Sequence, residues 1–267
     1  MRMNPVIARS FDPYLLSRVE DAGLNASAPP QQRWVDGWLL RFSPGKAKRA
    51  RCINALAPGR LGLSEKLASC EQAYADATLP LILRITPFSA PAALDEALAE
   101  AGWRRFDDTR VMVLDAVGNV AGATTASFDD GCTLEALAPD RFAQTVGALR
   151  GSPSAQREAH AHRLRHSPVP SQGFCLWRGG DVVACGQFVR EDDLVGLYDV
   201  FTAPQARGRG LARTLCTEML RRAHTQGARR AYLQVEGDNH PARAVYHRLG
   251  FGDAYAYHYR TRDPHAA

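Results

Sequence analysis

The run Gln205-Ala-Arg-Gly-Arg-Gly210 joins a strand-like segment, Leu194 to Thr202, to a helix-patterned one that begins at Leu211. A glycine-rich turn opening a helix is a ready anion site. The first amide N–H groups of a helix lack internal partners and carry the positive end of its dipole. Gly208 and Gly210 let the backbone approach a phosphate with no Cβ in the way, and Arg207 and Arg209 add charge beside it. Two nucleotide loops are excluded. No Gly-x-x-x-x-Gly-Lys-Ser/Thr occurs, and the dinucleotide fingerprint needs a third glycine where Arg213 stands. A glycine-rich helix start with no ligand is the other reading of six residues.

The elements that must hold this loop are legible around it. Leu211, Leu215 and Met219, with Ala212, Cys216 and Ala223, recur at helical spacing and predict a helix ending near Gly227. Upstream, Asp140 predicts a cap for a helix to about Arg150, and a second helix spans Ser154 to Arg165. Strands are predicted over Gly173–Arg178, Asp181–Arg190 and Leu194–Thr202, with turns at Arg178-Gly-Gly-Asp181 and Glu191-Asp-Asp193. Downstream come a strand (Ala231–Glu236), a Pro-initiated helix (Pro241–Leu249) and a last strand (Ala254–Thr261).

The first half repeats part of this order. Strands are expected at Trp38–Phe42, Ala50–Ala57, Leu79–Thr86 and Arg110–Leu114, and helices at Ser64–Ala77 and Pro91–Ala101. Each half closes on strand, Pro-initiated helix, Gly-aromatic pair (Gly102-Trp103, Gly250-Phe251) and strand, which points to an internal duplication. The small, aperiodic stretch Ala116–Ser127 reads as a linker, dividing the chain into 1–125 and 126–267.

Composition bounds the class. A 267-residue chain with 45% hydrophobic and 23% charged residues is ordinary for a globular protein. No apolar run is long enough for a membrane span, and the N-terminus lacks a signal-peptide core, so a cytoplasmic protein with no membrane partner is the expectation. Six scattered cysteines form no C-x-x-C pair and fit neither a disulfide framework nor a zinc site. The net charge of +5 suits a phosphate-rich ligand, a nucleic acid or simple solubility.

At Gln205, Gly208 and Gly210 the chain fits the pattern Gln/Arg-x-x-Gly-x-Gly/Ala. Together with Tyr232-Leu-Gln-Val-Glu236, Asn239, Ala242, Ala244, Tyr246 and Leu249-Gly-Phe251, it resembles the GCN5-related N-acetyltransferase (GNAT) superfamily over residues 130–262. The resemblance implies an α/β (α+β) fold with tandem GNAT-like domains, each a mixed, mostly antiparallel sheet flanked by helices. It also implies acetyl-CoA as acyl donor, with no metal. By similarity, the strands on either side of the loop-helix unit splay around the pantetheine arm. Val200 and Thr202 then offer backbone groups to that arm, and amides from Arg207 through Gly208, Arg209, Gly210 and Leu211 to Ala212 hold the pyrophosphate. Asn239 is the side-chain contact to the CoA arm, and Tyr246 is the general acid that protonates the leaving thiolate.

The chemistry is coherent. An amine attacking a thioester expels a thiolate, and a phenol of pKa about 10 is protonated at neutral pH and can donate to it. A core tyrosine is the alternative for Tyr246. The base is open between Asp199, Glu236 and a water chain, with Asp199 first; pairing with an arginine is the competing role for Asp199. Where relatives that act on protein N-termini often carry glutamate, this chain has Gln234, which is no base but can hold a water.

The resemblance makes His160, His162, His166, Tyr255, Tyr257 and Tyr259 acceptor-side candidates. A polar helix surface is the other reading of the histidines, and a metal needs more ligands than this spacing offers. Lys46–Arg51 reads as a solvated sheet edge rather than a nucleic-acid contact, since no aromatic is interleaved. The first half looks like a degenerate GNAT domain, with Pro58-Gly-Arg-Leu-Gly62 in place of a phosphate loop and Leu98 in place of Tyr246. The expected activity is acetyl transfer to a primary amine of a small metabolite, by a monomer or homodimer. A protein amine as acceptor and a CoA-binding module without turnover are the alternatives.

Overall fold

The computed structural model describes residues 11–122 and 131–263. The first half runs α1 (Pro13–Ala26), β1 (Gln31–Val35), β2 (Trp38–Phe42), β3 (Ile53–Ala55), α2 (Leu63–Asp76), β4 (Leu83–Ile85), α3 (Leu94–Glu100), β5 (Arg104–Leu114) and α4 (Val117–Ala121). The second half runs β6 (Cys132–Leu137), α5 (Pro139–Leu149), α6 (Ser154–Arg165), β7 (Ser171–Arg178), β8 (Asp181–Glu191), β9 (Leu194–Thr202), α7 (Leu211–Thr225), β10 (Arg230–Glu236), α8 (His240–Arg248) and β11 (Gly252–Thr261).

The described strands form one mixed sheet of eleven, in the order β1-β2-β3-β4-β11-β5-β10-β9-β8-β7-β6. The sheets of the two halves are therefore continuous. Each half sends its last strand into the other: β11 pairs with β4, β5 pairs with β10, and β5 and β11 pair with each other at the centre. The residues of β5 explain its central place. Val111 and Val113 pack into a cluster with α1 on one face, while Met112 and Leu114 pack against α7 on the other. A strand covered on both faces reads as a continuous apolar run, and Val111-Met-Val-Leu114 is one.

Four local expectations change. Neither α1 nor β1 is anticipated; β1 is short and largely polar. The basic run does not lie along a strand: Lys48–Ala50 is a single 3-10 turn before β3. The linker begins as a helix, α4, because Val117 is fully buried and its amide bonds Arg229 O at 2.9 Å. The boundary at residue 125 itself lies outside the described residues. Finally, Asp140 does not cap α5, whose N-cap is Ala138; Asp140 lies in the first turn and pairs with Arg165.

A buried ion pair within the first half is joined to the second by one hydrogen bond. Arg84 on β4 meets Glu20 on α1, at 2% and 5% exposure, and Tyr255 on β11 donates its hydroxyl to Glu20 at 2.6 Å. Burial works against the charge on Glu20, yet Arg84 outweighs it and the carboxyl lies below its ordinary range.

Candidate active site

The sheet forks beside the glycine loop. Parallel β9 and β10 pair from Leu194↔Arg230 to Leu197↔Leu233 and no further. Beyond that point β10 continues along β5 and β9 continues along β8. A register shift in β9, where Tyr198 opposes Gln187 and Phe201 opposes Cys185, adds one residue to β9. Asp199 takes up the bulge at φ 53°, a left-handed backbone that aspartate tolerates better than most residues.

A cleft of about 870 Å3 opens at the fork, between the start of α7 and the face of α8. Val200, Thr202, Arg207, Gly208, Gly210, Leu211, Ala212, Asn239 and Tyr246 all line it. Gln205, on the short turn Pro204–Ala206, and Arg209 are exposed and lie outside the lining. Gly208 and Gly210 have φ of 76° and 77°, and a Cβ on either would meet nothing within 4 Å. Backbone conformation therefore demands these glycines, and the open space above them admits a ligand.

The start of α7 has no side-chain cap and no acidic residue in its first turn. The first amide satisfied within this helix is that of Thr214, which bonds Gly210 O at 3.1 Å. Arg207, Arg213 and Arg248 line the cleft, and none of its lining residues is acidic. Free helix amides, three guanidinium groups and no carboxylate form a site for a multiply charged anion. Arg213 and Arg248 escaped the sequence reading. The signal for Arg213 was its place in the first turn after the loop.

Tyr246 is 8% exposed, with its ring 6.1 Å from that of Phe251 in the α7-side core. Burial pushes its phenol above the ordinary value, so it stays protonated. Asn239 is the N-cap of α8: its Oδ1 accepts from the Ala242 amide at 3.2 Å. Helix capping was not foreseen for it. With Oδ1 so engaged, Nδ2 remains as the group to offer a ligand.

On the opposite side of the fork lies a second hollow, between residues 44–51 of the first half and α5–α6 of the second. It comprises adjoining cavities of about 220 and 620 Å3 that share Lys46, Arg150 and Gln156. Asp199 lines the smaller; Gln234, Glu236, Tyr257 and Tyr259 line the larger. His160 lines the smaller, whereas His162 is exposed and its ring sits 4.3 Å from that of His166. Tyr255, Tyr257 and Tyr259 share one cluster, and Tyr255 is engaged by Glu20.

Asp199 does not sit as a free base. Its Oδ1 accepts from Arg150 at 2.7 Å and its Oδ2 from Gln187 at 2.6 Å, with His160 Nε2 3.3 Å from Oδ2. Burial opposes its charge, but His160, Arg150 and Arg163 outweigh burial and hold the carboxyl well below the usual range. A carboxylate so stabilised is a poor proton acceptor. Gln187 was missed; its signal is a lone amide in the apolar run of β8. Gln234 also differs from expectation. Its Oε1 accepts from Arg49 and, at 2.9 Å, from Tyr257, so its acceptor is taken by the protein.

The matching loop of the first half is closed by its own chain. Asp36, in the β1–β2 turn, accepts from the amides of Arg60 and Leu61 at 2.8 and 2.9 Å and pairs with Lys66 at 2.9 Å. These contacts, Lys66 first, hold its carboxyl down to about 2. A side-chain carboxylate thus lies where this loop could have offered amides to an anion.

Residues 141–251 match the model of the acetyltransferase (GNAT) family. The C-terminal half belongs to the GNAT acetyltransferase family. Over 231 residues, 86% of this chain and 92% of the relative, it is 24% identical to an uncharacterized N-acetyltransferase, YobR, of Bacillus subtilis (strain 168). A segment of 96 residues is 38% identical to the mycothiol acetyltransferase of Corynebacterium aurimucosum, covering 35% of this chain and 29% of that protein. Two solved structures share the fold across both halves. A GCN5-related N-acetyltransferase from Kribbella flavida superposes with TM-score 0.66 at 16% identity, over 93% of this chain and 95% of its own. A tandem GNAT protein from the clavulanic acid biosynthesis pathway gives 0.62 at 16% identity, over 87% and 83%. The GNAT match is thus to the second half, in a family that uses acetyl-CoA, while the chain as a whole shares the fold of a tandem GNAT protein. The GNAT match contains the loop, Asn239 and Tyr246.

Proposed function

We propose that this chain transfers the acetyl group of acetyl-CoA to a primary amine of a small molecule, from the second half alone of a duplicated chain divided near residue 125. The cleft carries the reading: an uncapped helix start, Arg207, Arg213 and Arg248, and no acidic lining residue suit a CoA pyrophosphate and its further phosphate. Amides from Arg207 to Ala212 would hold the pyrophosphate, Val200 and Thr202 would pair with the pantetheine arm along the edge of β9 that β10 has left, and Asn239 Nδ2 would contact the arm. Gln205 and Arg209 would act only from the rim.

The thioester would then lie at the fork, with Tyr246 on one side and the second hollow on the other. The amine attacks the acetyl carbon, the C–S bond breaks, and the Tyr246 hydroxyl gives its proton to the sulfur. For the base we favour His160, oriented by Asp199, over Asp199 itself. Imidazole is a side chain suited to taking up a proton at neutral pH, which a strongly stabilised carboxylate is not.

Calorimetry with acetyl-CoA and a thiol-release assay over an amine panel test this together. Binding followed by amine-dependent thiol release, with the acetylated amine identified by mass, is the expected result. Binding with no turnover on any amine would leave an acyl-CoA-binding module, and preferential turnover of peptide amines would move the acceptor to proteins.

A further inference from the structure

The second hollow carries more positive charge than the protein neutralises. Lys46, Lys48, Arg49, Arg51, Arg150, Arg157 and Arg163 line it, against the carboxylates of Asp107, Asp199 and Glu236. Two of the carboxylates are already committed, Asp107 to Lys48 and Asp199 to Arg150. Among the described residues, Lys46, Arg49, Arg51 and Arg157 form no ion pair, which leaves Glu236 as the one uncommitted acid among the lining residues. The Nε atoms of Arg49, Arg51 and Arg157 are buried and make no hydrogen bond among the described residues. Buried guanidinium nitrogens normally find acceptors, and leaving them unmet costs free energy.

Three of these four cations come from the run Lys46–Arg51, which the fold turns inward rather than along a sheet edge. Arg49 is anchored by one arm: its Nη1 donates to Gln234 Oε1 and, at 2.9 Å, to Tyr257 Oη. Gln234 stands on β10 just beyond the fork, next to the place where the thioester would lie. The basic run and the reacting centre therefore share one hollow.

We propose that the acceptor is a small amine that also bears an anionic group, a carboxylate or a phosphate, and that Lys46, Arg49 and Arg51 of the first half hold this group while the amine faces the fork. The inference rests on the acetyl-transfer reading above. A planar guanidinium fork matches the paired oxygens of either group, which an ammonium or hydroxyl on the substrate would not exploit. The concave volume of about 620 Å3 is that of a small-molecule site. The first half, its own loop closed by Asp36, thereby supplies acceptor recognition to the second.

The test uses matched acceptors with the full chain and acetyl-CoA: ω-amino carboxylates against their amides, and aminoalkyl phosphates against the amino alcohols. Thiol release should show kcat/KM at least tenfold higher for the charged member of at least one pair, and the pair that responds separates carboxylate from phosphate. In a Lys46→Gln/Arg51→Gln variant the KM for that charged member should rise tenfold or more while acetyl-CoA affinity, read by calorimetry, stays within twofold. An Arg51→Lys variant should keep part of the preference. Equal or better turnover of the neutral members, with thiol release intact, overturns this inference alone. Acetyl-CoA binding without thiol release from any pair overturns the acetyl-transfer reading with it, and a preference for acidic peptides over all small amines overturns the small-molecule class.

Discussion

Replacing Tyr246 by phenylalanine removes one oxygen from a ring that is 8% exposed and packed against Phe251, so the core keeps its shape. The variant isolates the hydroxyl. General acid catalysis contributes about 10^2 to 10^4-fold, which at 1.36 kcal/mol per factor of ten is roughly 2.7 to 5.4 kcal/mol. The lower end is expected here. Burial raises the Tyr246 phenol above its ordinary value, so proton transfer to a thiolate conjugate to a thiol of pKa about 8.5 runs uphill. The donor then acts largely by hydrogen bonding to the developing charge. Thiol release under saturating acetyl-CoA and amine should fall about 10^2-fold in kcat, an effect of about 2.7 kcal/mol. Acetyl-CoA affinity and the unfolding midpoint should barely move. The raised phenol also implies that Tyr246 does not titrate up to pH 10, so no loss of kcat below that pH traces to its ionisation. A Tyr246→Phe enzyme with kcat within threefold of the parent would refute the acid role and leave Tyr246 a packing residue.

Two further outcomes follow from the geometry. Gly210→Ala forces a side chain into φ 77° without any clash, so stability should drop by about 1–2 kcal/mol. Gly179→Ala, at φ 57° in the distant β7–β8 turn, should cost a similar amount. Only Gly210→Ala should weaken acetyl-CoA binding, tenfold or more by calorimetry; equal affinities in the two variants would argue against phosphate binding at the loop. Glu20→Gln strands a buried Arg84 without its counter-ion and should cost about 3–5 kcal/mol in denaturant unfolding, whereas a loss under about 1 kcal/mol would mean that water reaches the pair.

Much of the second half was legible because its signals are local. Helical spacing in Leu211–Ala223, alternation and turn residues in β7 to β9, and the glycine loop each depend on neighbours within a few residues. The first half reads poorly for the same reason. Its strands β3 and β4 are three residues each, too short to establish a period, and β1 faces solvent over most of its length.

The candidate site divides along the same line. Gly208, Gly210, Asn239 and Tyr246 stand at spacings set by one loop and one helix, and these local spacings bring them to the lining of one cleft. The fate of the polar side chains depended on partners far along the chain. Asp199 is tied to Arg150 and His160, and Gln234 to Arg49, which precedes it by 185 residues. Arginine is long enough to reach any of several carboxylates or carbonyls, and no local pattern selects among them. Tertiary structure decided which charges cancel and which remain exposed to a substrate. It alone decided that β5 and β11 pair across the halves; the run Val111–Leu114 of β5, apolar on both faces, goes where two layers can cover it.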